Sequence, residues 1–160
     1  MTDNKDVLIV GIGNTLLQDE GVGVYIAKKL SRSNSLDNLA IIDCCSDILR
    51  LTSYSDVYYN KIIIIDAIQA GGAAGEIYRF EISDINEIDP IVSSVHMIGA
   101  ITNLKLVIKL FPNIKRSKII LIGIEPETID IGIGLSKIVS SQIDNLVNTV
   151  YEELEKQSNG

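Results

Sequence analysis

The chain has 160 residues, of which 46% are hydrophobic and 22% are charged, and its formal net charge is −7. This length and composition predict one globular domain spanning residues 1–160, not a disordered protein. The acidic charge repels phosphate groups, so we expect neither nucleic acid nor an anionic membrane surface as a partner.

The sequence favours a cytoplasmic protein. Its apolar runs, such as Ile62–Ile65, are far shorter than the roughly 20 residues that a membrane-spanning helix needs. The first residues, Met1–Asp6, show no basic region followed by an apolar stretch, which a secretory signal would require. The two cysteines, Cys44 and Cys45, are neighbours and are poorly placed to pair with each other, so we expect reduced thiols.

Short β-branched runs alternate with helical patterns along the chain, which is typical of an α/β sheet. The predicted strands are Val7–Val10, Leu39–Asp43, Lys61–Asp66, Glu76–Ile82 and Lys118–Gly123. The first, third and fifth are apolar without alternation, as expected of strands covered on both faces. The fourth alternates, so it is predicted to be a half-exposed edge strand.

Helical patterns occupy the intervals between these strands. The predicted helices are Glu20–Leu30, Asp47–Tyr54, Met97–Phe111 and a final helix with its N-cap at Ser136. The final helix places apolar residues at spacings of three and four: Val139, Ile143, Leu146, Val147, Val150 and Leu154. The order of elements predicts a three-layer α/β/α sandwich.

A glycine-rich turn after the first strand carries two carboxylates, Asp19 and Glu20, where a nucleotide-binding turn would present bare amides. If the first three strands take the order 2-1-3, ligands bind in the crevice between strands one and three. Glu20 follows strand one, Asp66 is the last residue of strand three, and His96, the only histidine, lies in the loop before the Met97 helix. Two carboxylates and one imidazole suit Zn²⁺ or Ni²⁺ and leave positions open for water or substrate.

Each of these residues also has a structural explanation. Glu20 can complement a helix dipole, and Asp19 can act as a helix N-cap. Asp66 can cap the turn that follows its strand, and a lone histidine before a helix is commonly a surface or capping residue. Their shared placement at one predicted edge favours the functional interpretation.

These motifs together resemble the hydrogenase maturation proteases. The matching stretches are Gly11-Ile12-Gly13-Asn14, Asp19-Glu20-Gly21-Val22-Gly23, Ile65-Asp66-Ala67, His96 before an apolar helix, Gly123-Ile124-Glu125-Pro126-Glu127 and Gly134-Leu135-Ser136. The resemblance implies a twisted five-stranded, mostly parallel sheet with helices on both faces. In one loop the chain departs from the family, because Asp43 is followed by Cys44-Cys45-Ser46-Asp47 where the family usually has a glycine-rich stretch.

The resemblance also implies an activity. Family members are endopeptidases that remove a short C-terminal extension from the large-subunit precursor of a NiFe-hydrogenase once its nickel is inserted. Carried over by position, Glu20, Asp66 and His96 become the catalytic and metal-contacting residues, and the nickel arrives with the substrate. We expect a monomer that pairs transiently with its precursor, and another divalent metal can occupy the site in the isolated protein. Either the metal polarises the scissile carbonyl or a carboxylate activates the water.

Other interpretations compete with this one. A dinucleotide-binding domain would use Gly11, Gly13 and Asp43, but the third glycine of that fingerprint is missing. A nucleophilic hydrolase would combine His96 and Asp66 with Ser93 or Ser94, or pair His96 with Cys44 or Cys45, although no Gly-x-Ser-x-Gly elbow is present. The vicinal cysteines, at the start of a helix, can have lowered pKa values and bind a metal or sense redox state. A non-catalytic, nickel-dependent chaperone of the immature subunit would show the same motifs, and a spore-germination protease is a more distant alternative.

Overall fold

The computed structural model describes residues 6–33, 37–84 and 95–156, without the side chains of residues 84 and 95–101. The strands are β1 (Val7–Gly11), β2 (Leu39–Asp43), β3 (Lys61–Ala67), β4 (Ile77–Glu81) and β5 (Lys118–Ile124). The α-helices are α1 (Val22–Ser33), α2 (Val95–Leu110), α3 (Pro112–Arg116), α4 (Lys137–Ser141) and α5 (Ile143–Glu155). Three 3-10 segments cover Gln18–Gly21, Ile48–Tyr54 and Ile82–Asp84.

The strands form one five-stranded sheet in the order β2-β1-β3-β5-β4. The pairs β1–β2, β1–β3 and β3–β5 are parallel, whereas β4 is antiparallel to β5. The first three strands therefore have the 2-1-3 order on which the placement of the site depended. The alternating strand β4 lies at the edge and is half-buried along most of its length, which confirms its prediction.

Helices cover the sheet on both faces, as a three-layer sandwich requires. On β1, Val7 and Ile9 pack with α1, α4 and α5, whereas Leu8 and Val10 pack with α2, α3 and the 3-10 helix Ile48–Tyr54. Each central strand is buried on both sides because the crossover connections place a helix above and below a parallel sheet. Within the described residues, no helix has both the length and the apolar character that crossing a membrane requires.

Three predicted helices differ from the structure in form, and one of them, Asp47–Tyr54, is the 3-10 helix Ile48–Tyr54. The segment after β1 begins as the 3-10 turn Gln18–Gly21 and becomes α-helical only at Val22. The final helix is divided at Gln142 into α4 and α5, although Ser136 caps α4 as predicted, its hydroxyl accepting from the Val139 amide at 3.3 Å. The capping residue was readable from local sequence, whereas the change of helix type was not.

A buried ion cluster, which no sequence pattern predicted, holds α5 against the sheet. Glu153 is 1% exposed and binds Lys61 Nζ at 3.1 Å and Arg79 Nε at 2.7 Å. Lys61 is also buried and donates a second bond to the Glu153 carbonyl at 2.6 Å. Burial would raise the pKa of Glu153, but the hydrogen bonds and charges of Arg79 and Lys61 outweigh it and lower that pKa to about 2.

We predict that Glu153→Gln lowers the free energy of unfolding at pH 7 by about 3–5 kcal/mol, because it leaves the buried Lys61 charge without its counter-ion. Because the folded-state pKa lies below the ordinary value of 4.5, the contribution is complete above pH 4.5 and is lost as the pH falls toward 2. Urea unfolding of wild type and variant across this range measures the difference.

The matched control is Glu155→Gln, on the exposed end of α5, which should change the free energy of unfolding by less than about 0.5 kcal/mol. Equal stabilities of the Glu153 and Glu155 variants at pH 7 would show that the ion cluster contributes nothing.

Candidate functional site

The carboxyl ends of β1 and β3 lie side by side, with Gly11 in register with Ile65. The chain runs from β1 to β2 on one side and returns to β3 on the other, so the winding direction reverses between these two strands. Backbone bonds hold the turn after β1 against both neighbours: the Ile12 amide donates to the Ile65 carbonyl at 2.9 Å and the Gly13 amide to the Cys45 carbonyl at 2.6 Å. This reversal point is where open α/β sheets bind ligands.

Two glycines allow the turn to close over the strand ends. Gly13 has a φ of +152°, and a Cβ there would collide with the Glu20 carbonyl. At Gly23, in the first turn of α1, a Cβ would collide with the carbonyls of Ile65 and Ile12. Only glycine at these two positions lets α1 start directly against the sheet edge.

Two of the three predicted site residues, Glu20 and Asp66, meet at this edge. Glu20 is half-buried on the 3-10 turn, and Asp66 is the penultimate residue of β3, which runs one residue beyond its predicted end. Burial raises the pKa of the Asp66 carboxyl well above its ordinary value, and the nearby charge of Glu20 raises it further. The Ala67 amide, which donates to Asp66 Oδ1 at 2.8 Å, opposes the shift. The site therefore holds two carboxylates that repel each other.

The third residue, His96, does not lie in a loop before the helix, as the sequence suggested. The helix α2 begins at Val95, so His96 is in its first turn. Its side chain is outside the described part of the chain, as are Ser93 and Ser94 of the alternative nucleophilic set. Among the side chains that are described, no group of three or more His, Cys, Asp or Glu is placed to hold a metal ion.

Asp19 has a role that differs from the N-cap suggested by its position. Its side chain is fully buried and makes no cap on the 3-10 turn. Instead, Oδ2 accepts from the amides of Glu127 (2.9 Å) and Thr128 (3.1 Å), and Oδ1 accepts from that of Ser136 (2.7 Å). The carboxylate thereby ties the turn that carries Glu20 to a loop formed by residues 127–136, which we call the distal loop.

Comparison with known proteins identifies the family of the chain. The model of the family described as hydrogenase maturation protease (HycI) matches residues 24–153. The chain belongs to this family. It is accordingly a peptidase, and neither a dinucleotide-binding domain nor a non-catalytic chaperone is favoured.

Individual relatives agree with the family assignment. A putative hydrogenase maturation protease of Methanocaldococcus jannaschii is 30% identical over 156 residues, which cover 95% of this chain and 98% of the relative. The solved NiFe hydrogenase maturation protease HybD of Thermococcus kodakarensis is 31% identical, with a TM-score of 0.74, over 92% of this chain and 97% of its own. The hydrogenase maturating endopeptidase HybD of E. coli is 25% identical, with a TM-score of 0.76, over 94% and 93% of the two chains.

The loop after β2, which lacks the glycines that the resemblance led us to expect, contains one residue in the left-handed conformation. Cys45 has a φ of +50°, a conformation that normally favours glycine. The Asp43 carboxylate accepts from the Cys45 amide at 2.7 Å, and the Cys45 carbonyl accepts from the Gly13 amide. These two bonds hold the cysteine in the conformation that a glycine would adopt freely.

The environment of Cys44, the neighbour of Cys45, excludes a reactive thiol at this position. Its side chain is 1% exposed and packs in the core beneath the 3-10 helix Ile48–Tyr54. Burial raises the pKa of Cys44 to about 11, and Arg50 only partly opposes this. The alternative of a lowered pKa therefore does not hold for Cys44, which packs as a small apolar residue.

Glu125, just beyond the end of β5, organises the loop that follows Asp66. Its side chain is buried, and Oε2 accepts from the Ala70 amide at 2.9 Å and from the Tyr78 hydroxyl at 2.8 Å. The Gly75 amide donates to the Glu125 carbonyl at 2.8 Å. Glu125 therefore supports the Asp66 side of the crevice, as Asp19 supports the Glu20 side.

We predict that Asp19→Ala lowers the free energy of unfolding of the protease by at least about 2 kcal/mol, because three amides lose a charged acceptor. It should also expose the distal loop to proteolysis under native conditions. Urea unfolding and limited digestion, read by mass spectrometry, measure the two effects.

Asp130→Ala is the control, since this exposed carboxylate of the distal loop bonds only with Thr128 in the described part of the chain. Digestion of the Asp19 and Asp130 variants at the same rate would contradict the role given to Asp19.

Proposed function

We propose that this peptidase removes the C-terminal extension of a nickel-loaded NiFe-hydrogenase large-subunit precursor, and that Glu20, Asp66 and His96 contact the nickel that the precursor carries. The observation that carries the proposal is the pair of carboxylates, Glu20 and Asp66, at the reversal point of the sheet. Burial and mutual repulsion make this pair unfavourable without a cation nearby. A divalent ion brought by the substrate relieves both penalties.

The course of α2 supports the inclusion of His96. This helix ends at Leu110, and only α3 separates it from Lys118. At Lys118, β5 starts, at the end of the sheet opposite to the one where β1 and β3 end. The first turn of α2, with His96, therefore belongs near the edge where β1 and β3 end. An imidazole added to two carboxylates gives the mixed nitrogen and oxygen ligands that suit Ni²⁺.

Asp66 has the properties needed to carry the proton of the reaction. Hydrolysis joins a water oxygen to the peptide carbon, and one water proton must reach the leaving amine. Burial raises the pKa of Asp66, so its carboxylate is a stronger proton acceptor than that of an ordinary aspartate. We assign this proton transfer to Asp66, and the nickel that it contacts together with Glu20 and His96 places the scissile bond.

The nickel in this account is part of the substrate. A precursor without nickel lacks the group that the three residues bind, so its extension stays in place. In the isolated protein, the same ligands can take another divalent ion such as Zn²⁺, because Zn²⁺ accepts the same donor atoms.

We predict that Glu20→Gln, Asp66→Asn and His96→Ala each slow the removal of the extension from nickel-loaded precursor by at least about 100-fold. The first two changes preserve side-chain size and remove a negative charge. Mass spectrometry of the precursor against time follows the reaction.

Glu152→Gln, on the exposed face of α5, is the control and should process the precursor at the wild-type rate. Circular dichroism verifies that each variant is folded. Wild-type rates in all three site variants would refute the proposed site.

A further inference from the structure

The distal loop presents large apolar side chains to solvent beside the candidate site. Ile131 is 90% exposed and Ile133 is 88% exposed, and Leu16, across from them on the turn after β1, is 62% exposed. We call these three residues the apolar rim. Single exposed apolar side chains are ordinary, but three gathered on adjoining segments are typical of an interaction site.

The rim is held in place by the fold. The Gly132 amide donates to the Leu16 carbonyl at 2.9 Å, and the Gln18 amide donates to the Gly132 carbonyl at 3.1 Å, which forms a parallel bridge between the two segments. Asp19 binds both ends of the distal loop through its three amide contacts. Ile131 and Ile133 therefore project from a doubly anchored segment.

The backbone of this segment has one bonded side and one open side. Gly132 uses its amide and carbonyl toward the β1 turn, and the Gln18 side chain covers the space above it. Among the described residues, neither Ile131 nor Ile133 takes part in a backbone hydrogen bond. An open backbone edge flanked by apolar side chains is what binds an extended peptide by strand addition.

The rim is continuous with the candidate site. Gln18, which bonds to the distal loop, belongs to the same 3-10 turn as Glu20. A chain segment seated on the rim would thus extend directly toward the carboxylate pair. The surrounding charge is negative, with Glu127 and Asp130 exposed on the distal loop, so the segment is not acidic.

We propose that the apolar rim binds an extended, apolar, non-acidic segment of the hydrogenase precursor and thereby guides the scissile bond to the site. The proposal rests on the proposed function for the identity of the substrate. Three side chains expose roughly a few hundred Å², whereas a stable dimer buries about 800 Å² per partner, so the rim fits a peptide segment better than a second copy of the chain.

Steady-state kinetics on the nickel-loaded precursor tests the rim. For the double variant Ile131→Ser/Ile133→Ser, the expected result is a KM raised at least tenfold with kcat within twofold of wild type, because the rim binds substrate and transition state equally. Leu110→Ser, a residue 62% exposed at the far end of α2, is the matched control and should change neither constant. An unchanged KM in the double variant would overturn the proposal.

Binding to the immobilised nickel-loaded precursor separates this proposal from the proposed function. Adding the two serine substitutions to Glu20→Gln should raise the Kd at least tenfold, whether or not Glu20→Gln still cleaves. Normal cleavage by Glu20→Gln would count against the nickel site alone, and an unchanged Kd would count against the rim alone. Sedimentation of the free protein adds one more outcome: a wild-type dimer that the serine substitutions dissociate would assign the rim to a second copy and overturn the proposal.

Discussion

The buried carboxylate of Asp19 is the contact on which the geometry of the site depends. Its two oxygens bind three amides of the distal loop, so residues more than 100 positions apart in the chain share one rigid unit. A charged group in the interior is tolerated only when its hydrogen-bonding capacity is used, and here three charge-assisted bonds use it. Together with the backbone bonds of Gly132, this contact fixes the position of the apolar rim relative to the turn that carries Glu20.

The carboxylates near the two ends of β3 differ in whether cations neutralise them. At the edge where β3 begins, Glu153 is neutralised by Lys61 and Arg79, and its pKa falls to about 2. At the other edge, no cation offsets Asp66 and Glu20 among the described residues, and the pKa of Asp66 rises. The first arrangement stabilises the folded chain, whereas the second favours an incoming cation.

Features that depend on neighbouring residues in the chain were predicted, whereas features that depend on contacts between distant residues were not. The five strands were located to within one residue at each end, because the parallel strands, covered on both faces, leave continuous apolar runs and the edge strand β4 leaves an alternating one. The contacts of Asp19 and the ion cluster at Glu153 were missed, since their partners lie about 70 to 120 residues away along the chain. Cys45 shows the same limit, because two hydrogen bonds from the fold hold it in a conformation that its residue type does not favour.

The most direct test of the account is whether processing depends on the metal that the substrate carries. Wild-type protein is incubated with the same large-subunit precursor in nickel-loaded and metal-free forms, and the mass of the precursor is followed by mass spectrometry. Recognition of substrate nickel predicts that only the loaded precursor loses its C-terminal extension. Removal of the extension from both forms at the same rate would contradict it.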